Sequence, residues 1–203
     1  MLGEEPTAEA LDRLLAYLDV LNRWNQAYNL TAIRDPAGMV ARQLLDSLSV
    51  LPWVSGDSLL DAGTGAGLPG VPLAIMRPGL QVTLLDSAGK KVRFLRQVKR
   101  ELALDNIHPV QERLETYSPP LVHSAPVVYS TIISRAFSDL AHFGAAARHL
   151  MGRDNKLLAM KGLYPEAEIA QLPAWIKVDR VEKLFPPGLH EQRHLVIMSL
   201  PVT

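Results

Sequence analysis

The 203-residue chain is 48% apolar, carries 21 basic against 21 acidic side chains and has no cysteine. That length suits one domain whose core needs no covalent staple, and the missing cysteine removes disulfides, thiolate metal sites and thiol nucleophiles together. A formal net charge of zero argues against a general nucleic-acid coat protein, no apolar run reaches a bilayer span, and the acidic start Met1 to Pro6 lacks the parts of a secretory signal, so a cytoplasmic monomer off the membrane is expected.

Thr7 is a good N-cap, and Leu11, Leu14, Leu15, Leu18, Leu21 and Trp24 recur behind it at helical spacing, which predicts an amphipathic helix ending in a break at Asn25 to Thr31. Asp35-Pro36 has the cap and first-position pattern of a second helix, with Val40, Leu44, Leu45, Leu48 and Leu51 as apolar positions and Pro52 as its stop. Residues 1–55 are therefore expected to form an N-terminal helical cap on a unit, 56–203, in which short apolar strands alternate with helices.

That unit opens with Ser58-Leu59-Leu60-Asp61-Ala62-Gly63-Thr64-Gly65-Ala66-Gly67-Leu68-Pro69-Gly70, a strand running through an acid and four glycines into a helix. Glycine lets the backbone take positive φ and approach a ligand with no Cβ between them. From Gly65 the spacing satisfies the dinucleotide fingerprint, and Asp86, closing a strand at 81–86, stands where such a fold puts its ribose-binding acid. From Asp61 the run reads Asp-x-Gly-x-Gly-x-Gly, the first-strand pattern of S-adenosylmethionine-dependent methyltransferases, which also explains an acid facing a cationic amino-acid ligand. A tight turn without a ligand is the third reading.

The next helix, Gly89 to about Leu104, turns Phe94, Leu95, Val98 and Leu102 inward and carries six basic residues, Lys90, Lys91, Arg93, Arg96, Lys99 and Arg100. At 100° per residue these cannot share one face; Lys90, Arg93, Arg96 and Arg100 come closest to a stripe, either a solvated face or a track for RNA phosphates. A third strand, 107–111, holds Pro109 and belongs at an edge. A Pro-rich loop, 117–126, leads to a strand at 127–134 with Arg135 at its carboxyl end, where open α/β sheets bind ligands. Ser138 is the expected cap of a helix stopped by Gly152; a strand at 156–160 and a helix at 165–172 follow. The last strands, 177–185 and 193–200, are joined by a link too short for a helical crossover and must form an antiparallel hairpin. The expected fold class is α/β, a class I methyltransferase (Rossmann-like) sheet, mostly parallel with an antiparallel C-terminal hairpin; a dinucleotide domain would instead repeat the βαβ unit.

Over nearly its whole length the chain resembles the bacterial RNA small-subunit methyltransferase G family, also called glucose-inhibited division protein B. The resemblance is carried by Trp24-Asn25, Tyr28 to Thr31, Asp46-Ser47-Leu48, Asp61 to Gly70, Leu84 to Ser87, Lys90 to Leu95, Ile133 to Phe137, Lys161-Gly162 and Arg193-His194-Leu195. It implies S-adenosyl-L-methionine as cofactor, 16S rRNA or the small ribosomal subunit as partner, and N7 of a guanine as the atom methylated. Carried over by position, it adds Gly63, Leu68, Leu114, Glu115 and Arg135 to the cofactor-binding candidates Asp61, Gly65, Gly67 and Asp86. Gln43 departs from the His that relatives commonly carry beside the matching Arg42, and the 117–126 loop looks longer than usual.

Guanine N7 is an unprotonated lone pair at neutral pH, so methylating it needs orientation rather than a base, and no side chain is singled out as catalytic. The six histidines, at 108, 123, 142, 149, 190 and 194, show no metal spacing, and no metal is expected. Two alternatives stand beside this reading. An NAD-dependent oxidoreductase is opposed by the lack of any Tyr-x-x-x-Lys, and a non-enzymatic ribosome-binding module predicts binding without methylation.

Overall fold

In the computed structural model, which describes residues 5–201 apart from 123, 136 and 138, the chain opens with α1, Ala8–Tyr28. Thr7 caps it by accepting from the Ala10 amide at 3.1 Å, and Asn29 ends it in the left-handed conformation. The helix continues through the break expected at Asn25, which is buried and accepts from the Thr31 amide at 2.8 Å. Tyr17 and Val20 join Leu14, Leu18 and Leu21 on the core face, while Leu11 and Leu15 remain exposed.

Asp35 caps α2, Pro36–Met39, as expected. The backbone then widens into a π-helical segment, Val40–Leu45, and tightens again as α3, Asp46–Leu48. Pro52 lies within a 3-10 turn, Leu51–Trp53, instead of stopping one continuous helix.

Next come β1, Ser58–Ala62; α4, Gly70–Met76; β2, Gln81–Asp86; α5, Gly89–Glu101; and β3, Ile107–Gln111. The 117–126 loop contains a small antiparallel ribbon, β4, Leu121–Val122, with β5, Ala125–Pro126. The strand expected from Val127 begins only at Thr131, as β6, Thr131–Ser134. Its neighbour β1 starts at Ser58, whose carbonyl already accepts from the Ser130 amide, so residues upstream find no strand to pair with. The Val127 amide turns instead to the Pro120 carbonyl.

Asp139 caps α6, Leu140–Ala147; the expected cap, Ser138, lies outside the described residues. The helix ends in a 3-10 turn, Arg148–Leu150, ahead of Gly152. β7, Lys156–Lys161; α7, Glu166–Ala170; β8, Lys177–Leu184; and β9, Arg193–Ser199 complete the chain.

The seven-stranded sheet has the order β3-β2-β1-β6-β7-β9-β8. β3, β2, β1, β6 and β7 run parallel, and β9 runs antiparallel to both β7 and β8. Pro109 costs little because β3 is an edge strand. The chain winds outward from β1 to β3 and then crosses back to β6, so the carboxyl ends of β1 and β6 flank a switch point, the usual ligand crevice of such sheets. One apolar core packs the helical cap, α4 and α5 against one face, and a second packs α6 against the other. The cap therefore shares its core with the sheet: Leu14, Leu21, Leu44 and Leu48 cluster with Leu59, Leu84, Leu95 and Leu195.

Tyr17 ties this cap to the glycine loop. It is fully buried and donates its hydroxyl to the Ala66 carbonyl at 2.7 Å, and burial raises its phenol pKa. Tyr17→Phe strands that carbonyl in the core and is expected to lower the unfolding free energy by about 1–3 kcal/mol, read as a shift in urea midpoint at constant slope. An unchanged midpoint contradicts the assigned bond.

Candidate active site

The loop between β1 and α4 is pinned at both ends. The Gly63 and Thr64 amides both donate to the Leu85 carbonyl, at 2.9 and 3.0 Å, and the Gly65 amide donates to Asp86 Oδ2 at 2.9 Å. Its glycines serve different needs. Gly65, at φ +62°, needs the backbone freedom, since a Cβ there would meet only the Gly63 carbonyl, at 3.9 Å. At Gly67 a Cβ would stand 2.6 Å from Val71 and 2.8 Å from Leu95, and at Gly70 it would strike Leu84 and Asp61. Gly67, itself at φ +91°, thus lets the loop turn tightly against α4 and α5, Gly70 lets α4 close onto the sheet, and the open side of the loop is at Gly65.

Asp61 is fully buried, with Oδ2 accepting from the Thr64 hydroxyl at 2.6 Å and the Gly70 amide at 2.8 Å. Its carboxylate is turned into the loop and the start of α4, and Oδ1 has no partner. Burial lifts its pKa to about 6 against the pull of those two donors and of Arg135.

Two cavities open beside the switch point. The smaller, about 240 Å³, is lined by Gly63, Leu85, Asp86, Ser87, Lys91, Leu114, Glu115 and Phe137, among others. Asp86 accepts from the Ala88 amide at 2.9 Å and from Lys91 at 3.2 Å besides Gly65. A carboxylate has about four lone-pair sites, so capacity remains for a ligand hydroxyl. Leu114 is buried, and the half-exposed Glu115 lies 3.6 Å from His142. Leu85, Leu114 and Phe137 give this cavity apolar surface beside the fixed carboxylate of Asp86, with Ser87, Lys91, Glu112, Arg113 and Glu115 completing a polar remainder, a mix that fits a nucleoside. Leu68 is part of the apolar core and does not line this cavity.

The larger cavity, about 450 Å³, takes Arg42, Gln43 and Asp46 from the cap, Arg135 from the end of β6, Lys161 from β7 and Arg193 and His194 from β9. The buried Asp46 holds two guanidiniums, Arg193 Nε at 3.0 Å from Oδ1 and Arg135 Nη1 at 3.4 Å from Oδ2. Burial raises the Asp46 pKa while both arginines oppose it. Arg135 also donates to the Arg42 carbonyl at 3.2 Å, and His194 Nδ1 donates to the Gly162 carbonyl at 2.9 Å. Arg135 therefore lines the larger cavity, whereas of the other cofactor candidates Gly63, Asp86, Leu114 and Glu115 line the smaller one and Asp61, Gly65, Gly67 and Leu68 line neither. No local pattern announces Asp46, Lys161, Arg193 or His194 as a group, because only the sheet order brings their elements together.

On α5, Lys90, Arg93, Arg96 and Arg100 are exposed, as the stripe requires. Lys91 turns to Asp86, and Lys99 donates to the Ile107 carbonyl at 2.7 Å. Among the described residues no three His, Asp or Glu converge as metal ligands, and no helix is long and apolar enough to cross a membrane.

A mostly parallel seven-stranded sheet with an antiparallel edge and a glycine-loop crevice is the fold of class I, S-adenosylmethionine-dependent methyltransferases. A methyltransferase of that kind from Aquifex aeolicus shares it with a TM-score of 0.58 at 19% identity, over 82% of this chain and 94% of its own. Residues 10–196 match the family described as rRNA small subunit methyltransferase G, and the chain belongs to that family. It is 52% identical over 203 residues to the ribosomal RNA small subunit methyltransferase G of Ectopseudomonas mendocina, covering 99% of this chain and 92% of the relative. The protein of the same name from Enterobacter sp. (strain 638) is 49% identical over 199 residues, covering 97% and 92%.

The raised pKa of Asp61 has a signed consequence for stability. A carboxyl at about 6 in the fold, against an ordinary 3.8, is favoured in its protonated form. The stability this contributes is complete below about pH 4 and is lost as pH rises through about 6. Relative to Asp61→Asn, which cannot ionise, the ligand-free wild type should therefore lose about 3 kcal/mol of unfolding free energy between pH 4 and 7. Urea titrations across that range check it, and a constant difference between the two proteins contradicts it.

Proposed function

We propose that the protein, acting as a cytoplasmic monomer, transfers a methyl group from S-adenosyl-L-methionine to N7 of a guanine in 16S rRNA. The observation that carries this reading is the pair of cavities beside the switch point, one lined by Arg135 and the other by Phe137. The smaller suits one nucleoside, and the larger is lined by cations that suit a nucleotide.

When bound, the cofactor supplies a methyl group already activated by its sulfonium. Asp86 would accept from its ribose hydroxyls, Leu85, Leu114 and Phe137 would give the base apolar surface, and Gly63 and Glu115 would complete the lining. Asp61, Gly65 and Gly67 hold the loop behind that lining in shape. On the other side, Arg42, Arg135 and Arg193 provide positive charge for the target nucleotide's phosphates. The helical cap, residues 1–55, roofs that side by contributing Arg42, Gln43 and Asp46. With N7 already unprotonated, alignment of the two ligands supplies most of the rate, up to about 7–11 kcal/mol.

Membership of a family described as rRNA small subunit methyltransferase G disfavours both the oxidoreductase and the pure binding module.

The deciding experiment incubates the protein with methyl-labelled S-adenosylmethionine and either free 16S rRNA or small subunits, then digests the RNA and seeks 7-methylguanosine by mass spectrometry. Its absence from both substrates rejects the proposal. With the better substrate, the single-turnover rate should show no ionisation between about pH 6 and 9, because no side chain has to lose a proton; a tenfold rise per pH unit points to a general base. Asp86→Asn should weaken adenosylmethionine binding by about 1.5–3 kcal/mol in calorimetry, and unchanged affinity removes Asp86 from the site.

The exposed stripe on α5 is read as an RNA track. Replacing Lys90, Arg93 and Arg96 together by Gln should weaken RNA binding and flatten its salt dependence by up to roughly 0.7 log units per lost contact, leaving adenosylmethionine affinity unchanged. An unaltered salt slope identifies a solvated face instead.

A further inference from the structure

Tyr28, the last residue of α1, lines neither cavity and is 42% exposed, yet its ring is held in place. It stacks on Trp24, one helical turn back, with centroids 5.1 Å apart and planes 28° apart. Trp24 in turn meets the fully buried Phe94 of α5 edge-on at 5.7 Å. A lone exposed tyrosine needs no cause. One braced by a stacked ring and by the core is different, because its orientation is set in advance and it has little freedom left to lose when a planar group packs on it.

The surrounding chain ties this ring to the larger cavity. Asn25 accepts from the Asn29 amide at its carbonyl, at 3.2 Å, and from the Thr31 amide at Oδ1, at 2.8 Å, so the turn after Tyr28 is fixed at both ends. Thr31 lines the larger cavity and accepts from Gln43 Nε2 at 2.9 Å. Three residue steps separate Tyr28 from Thr31, which keeps their Cα atoms within about 11 Å of each other.

Cations accompany the ring. Lys90, the first of the exposed α5 stripe, donates to the Tyr28 carbonyl at 3.4 Å, and Arg34 donates to Asn29 Oδ1 at 2.9 Å. Beyond Thr31 the cavity adds Arg42, Arg135 and Arg193. An aromatic ring set among cations is the arrangement that holds single-stranded nucleic acid: the phosphates follow the charge, and an unpaired base stacks on the ring. A paired base stays within its own stack and has no face to offer.

We infer that Tyr28 is a stacking platform for an unpaired base of the RNA, on a nucleotide close to the target guanine. The inference rests on the rRNA reading above and adds the course of the strand, from the α5 stripe past Tyr28 to the larger cavity.

The test measures binding of the full chain to 16S rRNA or to small subunits, whichever the wild type methylates. Tyr28→Leu keeps an apolar side chain beside Trp24 but removes the ring, whereas Tyr28→Phe and Tyr28→Trp keep one. Urea midpoint and adenosylmethionine affinity are measured for each variant and should match wild type. Tyr28→Leu should bind the RNA at least about fivefold more weakly, the low end of what one stacked base contributes, and the two aromatic variants should lose less than that. Ultraviolet cross-linking of the wild-type complex, read by mass spectrometry, should join a nucleotide to Tyr28. Undiminished RNA affinity in Tyr28→Leu, or a loss that the Phe and Trp variants share in full, overturns the inference. If Tyr28→Leu also lowers the urea midpoint, the cross-link decides, and RNA joined to other residues but not to Tyr28 overturns it. Any of these failures with 7-methylguanosine still formed leaves the methyltransferase reading intact. A wild type that methylates neither rRNA nor subunits overturns that reading first, and this inference with it.

Discussion

The carboxylate of Asp61 joins the three pieces on which the site depends. It stands one residue before the end of β1, ties back the loop through Thr64 and caps the first amide of α4 at Gly70, both bonds within 2.8 Å. A fully buried acid is a costly way to make such a joint, and its upward-shifted pKa records the cost. The return is a rigid loop whose open flank, at Gly65, faces the end of β2. There Asp86 repeats the device at the surface, holding the Gly65 and Ala88 amides while keeping acceptor capacity for a ligand.

A second acid organises the other cavity. Asp46, from the helical cap, holds one arginine from the end of β6 and another from the start of β9. Residues 46, 135 and 193 are thereby locked into one wall, and the cap becomes part of the site as well as a cover for the core. Removing one partner of this cluster would leave the buried Asp46 carboxylate, or a partly exposed guanidinium, less well compensated. Tyr17 makes the link between the two halves direct, since its hydroxyl reaches from α1 to the glycine loop.

Much of the fold was readable from local chemistry. Thr7 and Asp35 cap the helices they were expected to cap, β2 and β3 match their expected spans, Pro109 lies on an edge strand, and the last two strands form the antiparallel hairpin. These features depend on neighbours in sequence or on what a single residue cannot do. The errors share a different cause. The Val127 to Ser130 stretch has the composition of a strand but no partner beside it; Leu11 and Leu15 fit the apolar period of α1 but not the surface it packs on; and the cap of α2 opens into a π-helical segment that no periodicity signalled. Propensity describes what a segment tolerates, and pairing decides what it adopts.

For the candidate site the division is sharper. By itself the sequence determined where the glycine loop, its acid, the second acid at the end of β2 and the exposed basic stripe of α5 stand, because each is a short run whose spacing carries its own geometry. Tertiary structure alone decided that Arg135 belongs with Arg42, Asp46 and Arg193, that Gly67 and Gly70 serve packing while Gly65 faces open space, and that Gln43 is buried with an oxygen left unpaired. The physical reason is that hydrogen-bond satisfaction and cavity walls are properties of groups brought together from distant elements, and here it is the reversal of the sheet between β1 and β6 that brings them together.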